Sequence, residues 1–311
     1  MSCTSSAPRA HTTARSTAST SRRRSTSAVP IAELPRLPFV VERAAGAVIG
    51  DTGYLLGGLT PGDVSIPSIL SLDIETGAVN RIGSLPIAAH DAAAVSVAGQ
   101  ILLFGGSGAA GDLVQRFDPA ARTVSTIGHL PRPLSDLGTA VIGNNVFVVG
   151  GYDGARARRE ILETTDGRSF RVAATLPEGS RYAAVAAAGS SLLVAGGQTD
   201  SASASRSVLL VDPASGSVRL LADLPVATAH AVLLVRGQTA FVIGGRDASG
   251  RPTARVWRID LGTGTVAAAP PLPVPLADPA LLSSGTRTIL AGGATGSASS
   301  GGETNLEILF T

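Results

Sequence analysis

Ionisable and aromatic side chains recur at equivalent places along this chain. Each lies six residues after the leucine of a Leu-Pro pair and directly before an apolar segment. Carboxylates and imidazoles can transfer protons, and guanidinium groups can hold a carboxylate, so these residue types suit acid–base chemistry or the binding of a polar ligand. The residues are Arg43, Asp91, Asp136, Tyr182, His230 and Asp278.

Two further groups of polar residues lie near these positions in sequence. The residue directly before four of them is also polar: Glu42, His90, Ser135 and Arg181. Loops after the glycine pairs carry Tyr152, Asp153, Gln198, Asp200, Arg246 and Asp247. Functional residues are often found on loops held by a rigid scaffold. We therefore expect Tyr152, Asp153, Arg246 and Asp247 to extend the same binding surface.

Two short motifs indicate what must position these side chains. A Gly-Gly pair follows an apolar run six times, and each is preceded by a Leu-Pro pair. The leucine and the first glycine are 20 residues apart in every copy, whereas successive copies are 45 to 48 residues apart. A constant internal spacing with a variable step is typical of a repeated module with variable loops. The leucines are Leu37, Leu85, Leu130, Leu176, Leu224 and Leu272, and the first glycines are Gly57, Gly105, Gly150, Gly196, Gly244 and Gly292.

Each unit predicts four antiparallel strands. Two apolar segments lie between the motifs, such as residues 92–97 and 101–104, and they are too short for helices. We interpret them as strands buried on both faces. A third segment follows the glycine pair and leads to an aspartate that can start a tight turn, and a fourth runs into the next Leu-Pro. Six such units predict an all-β, six-bladed β-propeller.

The two ends of the chain complement each other. Residues 29–36 have no preceding strands of their own blade, while the last blade ends after its third strand, at residues 306–310. We expect the N-terminal segment to supply the outermost strand of the last blade and so close the ring. Pro30 and Pro35 suit that place, because a proline on an edge strand removes no interior hydrogen bond.

The combination of apolar strand, Gly-Gly, variable loop, aspartate turn and Leu-Pro resembles the kelch-repeat propellers. The resemblance covers residues 29–311 and is clearest at residues 146–154 and 240–246. That family usually has a tryptophan six residues before the Leu-Pro, whereas this chain has Ile31, Val79, Val124, Phe170, Val218 and Val266 there. Trp257 lies in a third strand instead. The resemblance therefore implies divergent kelch-like repeats, and propellers include both binding modules and enzymes.

In such a propeller the six recurring residues would lie at the mouth of the central channel, on the face with the long loops. A polar ring can merely solvate a water-filled channel. Three aspartates, two histidines and two arginines at one opening exceed what solvation requires, which favours a ligand site. Asp91, Asp136 and His90 could together hold a metal ion, but carboxylates on a solvated rim are more often unliganded, so we expect no metal.

No other motif in the sequence indicates a binding site for a cofactor or a nucleic acid. Gly106, Gly108 and Gly111 match a dinucleotide fingerprint, but residues 112–117 read as a strand where that motif needs a helix. All 25 basic residues are arginine, so no lysine can form a Walker loop, and Cys3 is the single cysteine. Beyond residue 28 there are 20 arginines against 23 acidic residues, which offers no basic surface for nucleic acid. We expect no cofactor, and no apolar run is long enough to span a membrane.

Residues 1–28 differ from the rest of the chain. They contain 14 serines or threonines, five arginines and no acidic residue, so we expect a disordered tail before a propeller domain of residues 29–311. A transit peptide has this composition, and a start codon assigned too far upstream would also produce it. The compartment therefore remains open.

These patterns favour a non-catalytic, monomeric propeller that binds a protein or carbohydrate at the channel mouth. The alternative is a carbohydrate-active enzyme resembling the sialic-acid mutarotases, which are also six-bladed kelch propellers. In that case the acidic, histidine and arginine side chains would supply a general acid, a general base and a carboxylate clamp. Buried ionisable groups close together in a pocket would favour the enzyme, and a wide, hydrated ring would favour the binding module.

Overall fold

The chain folds as an all-β β-propeller of antiparallel four-stranded sheets, which confirms the prediction of an all-β propeller. The computed structural model describes residues 1–3, 29–30, 36–296 and 305–309. Except for its first three residues, the predicted disordered tail lies outside the described residues.

Five sheets contain four strands each in chain order, after the short strand β1 (Val29–Pro30). The first has β2 (Ala45–Ile49) and β3 (Thr52–Leu56), then, after a hairpin of β4 (Leu59–Thr60) and β5 (Val64–Ser65), β6 (Ser68–Asp73) and β7 (Val79–Ser84). The second has β8 (Ala93–Val97), β9 (Gln100–Phe104), β10 (Leu113–Asp118) and β11 (Thr123–His129), with a 3₁₀ turn at Gly108–Ala110. The third has β12 (Gly138–Ile142), β13 (Asn145–Val149), β14 (Glu160–Thr164) and β15 (Arg171–Thr175). The fourth has β16 (Ala184–Ala188), β17 (Ser191–Ala195), β18 (Ser207–Asp212) and β19 (Ser217–Asp223). The fifth has β20 (Val232–Arg236), β21 (Thr239–Ile243), β22 (Val256–Asp260) and β23 (Val266–Ala269).

A sixth sheet joins strands from both ends of the chain. It contains β24 (Ala280–Ser284), β25 (Arg287–Ala291) and β26 (Asn305–Leu309), with β1 beside β26. The β1–β26 pairing is antiparallel and places Val29 opposite Leu309.

The first and second strands of a sheet differ in burial. In β9, four of the five residues are buried, whereas in β8 only Val95 is. The prediction of strands buried on both faces was therefore wrong for the first strands. These strands are innermost: they contact the first strands of neighbouring sheets. One face of each is thus turned toward the channel and is covered less completely.

The glycine pairs lie where neighbouring sheets meet. The first glycine of each pair has φ between 60° and 67°, and a Cβ there would lie 2.1–2.4 Å from a carbonyl oxygen of a segment that leads into another sheet. The second glycine donates its N–H to that same oxygen at 2.8–2.9 Å. No other residue type fits so close an approach at this backbone angle. The accepting carbonyls belong to Ala89, Leu134, Ser180, Thr228, Leu276 and, for the last pair, Val41, which precedes the first sheet.

Aspartates close the turns between the third and fourth strands of the sheets, as the sequence predicts. The Oδ1 atom of Asp118 accepts hydrogen bonds from the N–H groups of Ala120 and Ala121, and Asp260 does the same for Gly262 and Thr263. These backbone donors lower the pKa of both carboxyl groups. Within the described ranges, no helix has the length and apolar character needed to cross a bilayer.

Candidate functional site

The six recurring residues share one backbone conformation. Their φ angles lie between 54° and 60°, in the left-handed region that is uncommon for residues other than glycine. Each N–H donates to the carbonyl oxygen of the equivalent residue in the preceding sheet, with N···O distances of 2.8–3.3 Å. Arg43 donates to Asp278, so the bonds form a closed ring. We call these residues the hexad: Arg43, Asp91, Asp136, Tyr182, His230 and Asp278.

All six hexad residues line one cavity of about 150 Å³. The residues that follow them are small or apolar, and they complete the wall: Ala44, Ala92, Leu137, Ala183, Ala231, Val232 and Pro279. Sites for drug-sized ligands typically measure about 300–1,000 Å³. The hexad cavity therefore fits a compact molecule.

Asp91 is a hexad carboxyl group with a raised pKa. Its side chain is 6% exposed, and Arg43 Nη1 donates to its Oδ2 at 3.1 Å. Burial raises the pKa of Asp91 to about 8; Arg43 opposes this shift, while Asp136 and Asp278 add to it. Asp91 is thus predominantly a neutral carboxylic acid at pH 7 and can donate a proton.

Asp136 is buried next to Asp91 without a hydrogen bond from an arginine. Arg181 Nη1 lies 3.7 Å from its Oδ2, beyond hydrogen-bonding distance. Burial raises the pKa of Asp136, although hydrogen bonds with Tyr182 and Ser135 and the charge of Arg181 oppose the shift.

His230, Asp278 and Arg246 form a relay. His230 Nδ1 lies 2.6 Å from Asp278 Oδ1, while Arg246 contacts Asp278 Oδ2 through Nε at 3.3 Å and Nη2 at 3.2 Å. Burial raises the pKa of Asp278, but His230, Arg43 and Arg246 outweigh it and leave the pKa below its ordinary value. Asp278 is therefore ionised. The His230 ring stacks on Tyr182, with centroids 3.7 Å apart.

The residues preceding the hexad form a second polar layer. Glu42 is buried, with its carboxylate 3.7 Å from Arg43 Nε and 4.0 Å from Arg246 Nη2. Burial and the charge of Asp278 raise the pKa of Glu42. Burial and the charge of Arg43 lower the pKa of His90, whose Nε2 lies 3.6 Å from Asp91 Oδ2.

The four predicted loop residues divide into two pairs. Arg246 joins the relay, and Tyr152 lies under the guanidinium group of Arg181 at 4.7 Å. Asp153 and Asp247 instead bond to their own loops. The Asp153 carboxylate accepts from the backbone N–H groups of residues 155 and 156 and pairs with Arg158, while Asp247 accepts from those of residues 249 and 251. The structure therefore places these two aspartates in loop stabilisation, away from the hexad contacts.

Ser65 is a site residue that sequence reasoning missed. It lies on β5, and its Oγ is 2.8 Å from His90 Nδ1. No motif marks it, because the hairpin β4–β5 occurs only in the loop of the first sheet among the described residues. Only the fold of that loop brings Ser65 to the site.

No protein-family model matches this chain, and no curated protein is significantly similar to it. In the part of the chain that the structure describes, no group of three or more His, Cys, Asp or Glu residues is arranged to hold a metal ion.

Proposed function

We propose that the chain forms a six-bladed, kelch-like propeller closed by β1 on the last blade. Three features support this proposal: the six four-stranded sheets, the contact of the last glycine pair with Val41, and the ring of backbone bonds that returns from Asp278 to Arg43. The kelch-like character rests on the sequence pattern of Gly-Gly, aspartate turn and Leu-Pro.

We propose that the protein binds a compact, hydroxyl-rich ligand, a carbohydrate of about one sugar unit, in the hexad cavity. The observation that carries this proposal is the convergence of six polar side chains on one recess of about 150 Å³. Carboxyl, imidazole and guanidinium groups there can accept from and donate to hydroxyls, and the stacked Tyr182 and His230 rings offer an apolar surface for sugar carbons. A recess of this size favours a small molecule over a protein segment.

A specific observation favours a second function, that of a carbohydrate-active enzyme. Asp91 and Asp278 are both buried, but their pKa values are shifted in opposite directions. Two carboxyl groups held in different protonation states are the arrangement that general acid–base catalysis requires. Buried ionisable groups gathered in one cavity favour an enzyme, whereas a wide, hydrated ring would favour a binding module.

The binding proposal is tested by calorimetry and thermal shift with neutral monosaccharides, sugar acids and amino sugars. We expect at least one compound to raise the melting temperature, because a ligand of the folded state stabilises it. Asp136→Asn should weaken that compound's affinity at least tenfold. Asp153→Asn is the matched control, and its affinity should equal that of the wild type. If no compound binds, or if both variants bind like the wild type, the proposal fails.

A further inference from the structure

The relay of Arg246, Asp278 and His230 orients an imidazole toward the cavity. An ionised carboxylate only accepts hydrogen bonds, so the contact at Asp278 Oδ1 fixes the proton of a neutral imidazole on Nδ1. Among the described residues this is the imidazole's one hydrogen bond, and Nε2 is left with a lone pair. An imidazole in this tautomer can act as a base.

Asp91 and His230 lie across the cavity from each other. In the ring of six backbone bonds they are three positions apart, which places them on opposite sides. Asp91 is a buried carboxyl group with Arg43 on its Oδ2, and His230 is a buried imidazole with Asp278 on its Nδ1. A ligand in the cavity would thus lie between a proton donor and a proton acceptor.

Each of these two groups becomes charged when the proton is transferred. Each lies next to a residue of opposite charge that would stabilise this charged form. If His230 gains a proton, the imidazolium lies beside ionised Asp278, which Arg246 holds with two hydrogen bonds. If Asp91 loses a proton, the carboxylate lies beside Arg43. Charges placed in advance where new charge develops are the main source of electrostatic catalysis.

We propose that His230 and Asp91 are a general base and a general acid, and that the protein catalyses proton transfer next to the carbonyl group of a compact hydroxycarbonyl compound, such as a short aldose or ketose. The inference rests on the proposed binding of a small hydroxyl-rich ligand in the same cavity. The size of the cavity limits the substrate to a compact molecule.

The proposed step balances without a cofactor. His230 Nε2 takes the proton from the carbon next to the carbonyl, and the electrons of that C–H bond form a carbon–carbon double bond. The carbonyl π electrons move to oxygen, which takes the proton from Asp91, and an enediol results. Protonated His230 then returns a proton to either carbon while the Asp91 carboxylate takes the proton of the hydroxyl on the other carbon, which restores both residues and yields the starting compound or its isomer. Asp278 and Arg246 touch no reacting atom and are positioning residues.

The test follows hydrogen–deuterium exchange by ¹H NMR in D₂O, with glycolaldehyde, glyceraldehyde and dihydroxyacetone as probes. We expect exchange at the carbon next to the carbonyl to be faster with the wild type than in buffer alone. The rate should fall as pH rises through about 8, where Asp91 loses its proton. His230→Gln should slow exchange by about 100-fold or more, as expected for loss of a general base. Asp91→Asn should slow exchange at neutral pH and remove the decline near pH 8, and Asp278→Asn should lower kcat more than KM.

Controls separate chemistry from folding and from binding. Asp247→Asn changes a carboxylate that bonds only within its own loop and should leave the exchange rate unchanged. Circular dichroism establishes that each variant is folded, and the wild-type rate and its pH profile test the inference even if a variant does not fold. Binding without accelerated exchange would overturn the catalytic inference and leave the binding proposal standing. Absence of both binding and exchange would overturn both, and undiminished exchange in His230→Gln would overturn the assignment of the base.

Discussion

The hexad side chains converge because their residues share a left-handed backbone angle. At φ between 54° and 60° a residue turns the chain sharply before each innermost strand and joins the ring of backbone hydrogen bonds. Asp and His tolerate this region better than β-branched residues do, and no β-branched residue occurs at the six positions. The same constraint that shapes the backbone therefore favours residue types that can transfer protons.

Replacing Asp91 with asparagine tests its protonation state. The pKa is about 8 in the folded protein and about 3.9 in an unfolded chain, so between these values the folded state binds one more proton. The free energy of unfolding of the wild type, relative to Asp91→Asn, should fall by about 1 kcal/mol per pH unit as pH rises from 5 to 7.5. Urea denaturation of both proteins at several pH values measures this difference.

Replacing Asp278 with asparagine should give the opposite dependence of stability on pH. Its pKa is lowered, so its contribution to stability is present near neutral pH and is lost as pH falls through the folded-state pKa. The difference between wild type and Asp278→Asn should therefore shrink toward acid pH. Parallel pH profiles for wild type and Asp91→Asn would contradict the assignment of Asp91 as a neutral acid.

At the scale of elements, the glycine pairs join one sheet to the next. Gly150 illustrates this role: a Cβ at this residue would lie 2.3 Å from the carbonyl oxygen of Ser180, which accepts a hydrogen bond from Gly151 at 2.9 Å. The leucines of the six Leu-Pro pairs are all buried, so they anchor in the core the segments that connect one sheet to the next. Hydrophobic clusters then fill the spaces between neighbouring sheets.

Gly150→Ala should destabilise the protein more than Gly143→Ala. Both glycines have φ near 60°, so both substitutions carry the strain of a left-handed alanine. Gly143 has no atom within 4 Å of a Cβ, whereas Gly150 meets the Ser180 carbonyl. The additional overpacking at Gly150 should cost about 1–3 kcal/mol. Thermal or urea unfolding of the two variants measures this difference, and equal losses would show that close approach does not explain the glycine pair.

At the scale of the molecule, the first and sixth sheets pack against each other. Leu282 and Ile289 of the sixth sheet pack in one buried cluster with Leu55 and Leu70 of the first. On the opposite face from the hexad, Ser284 Oγ donates to Asp51 Oδ1 at 2.8 Å, across 233 residues of sequence. These contacts support the proposed closure independently of the short β1–β26 pairing.

A disulfide can test this closure. With Cys3 changed to serine, Asp51→Cys and Ser284→Cys together should form a cross-link on mild oxidation, because their side chains are in contact. Closing so long a loop should stabilise the folded state by about 3–5 kcal/mol and raise the melting temperature. Non-reducing electrophoresis detects the cross-link, and each single cysteine variant serves as the control. Absence of the cross-link in the folded protein would argue against a closed ring.

The sequence alone determined the repeat, the strands and the hexad positions, because a constant spacing of 20 residues between leucine and glycine reflects one local module copied along the chain. Only the tertiary structure decided which side chains of the site meet. Arg246 pairs with Asp278 across 32 residues and Ser65 with His90 across 25, and no local pattern encodes either contact. It also decided that Asp91 is neutral while Asp278 is ionised. The two are the same residue type at equivalent positions, and their pKa values differ because burial and neighbouring charges depend on how the sheets pack.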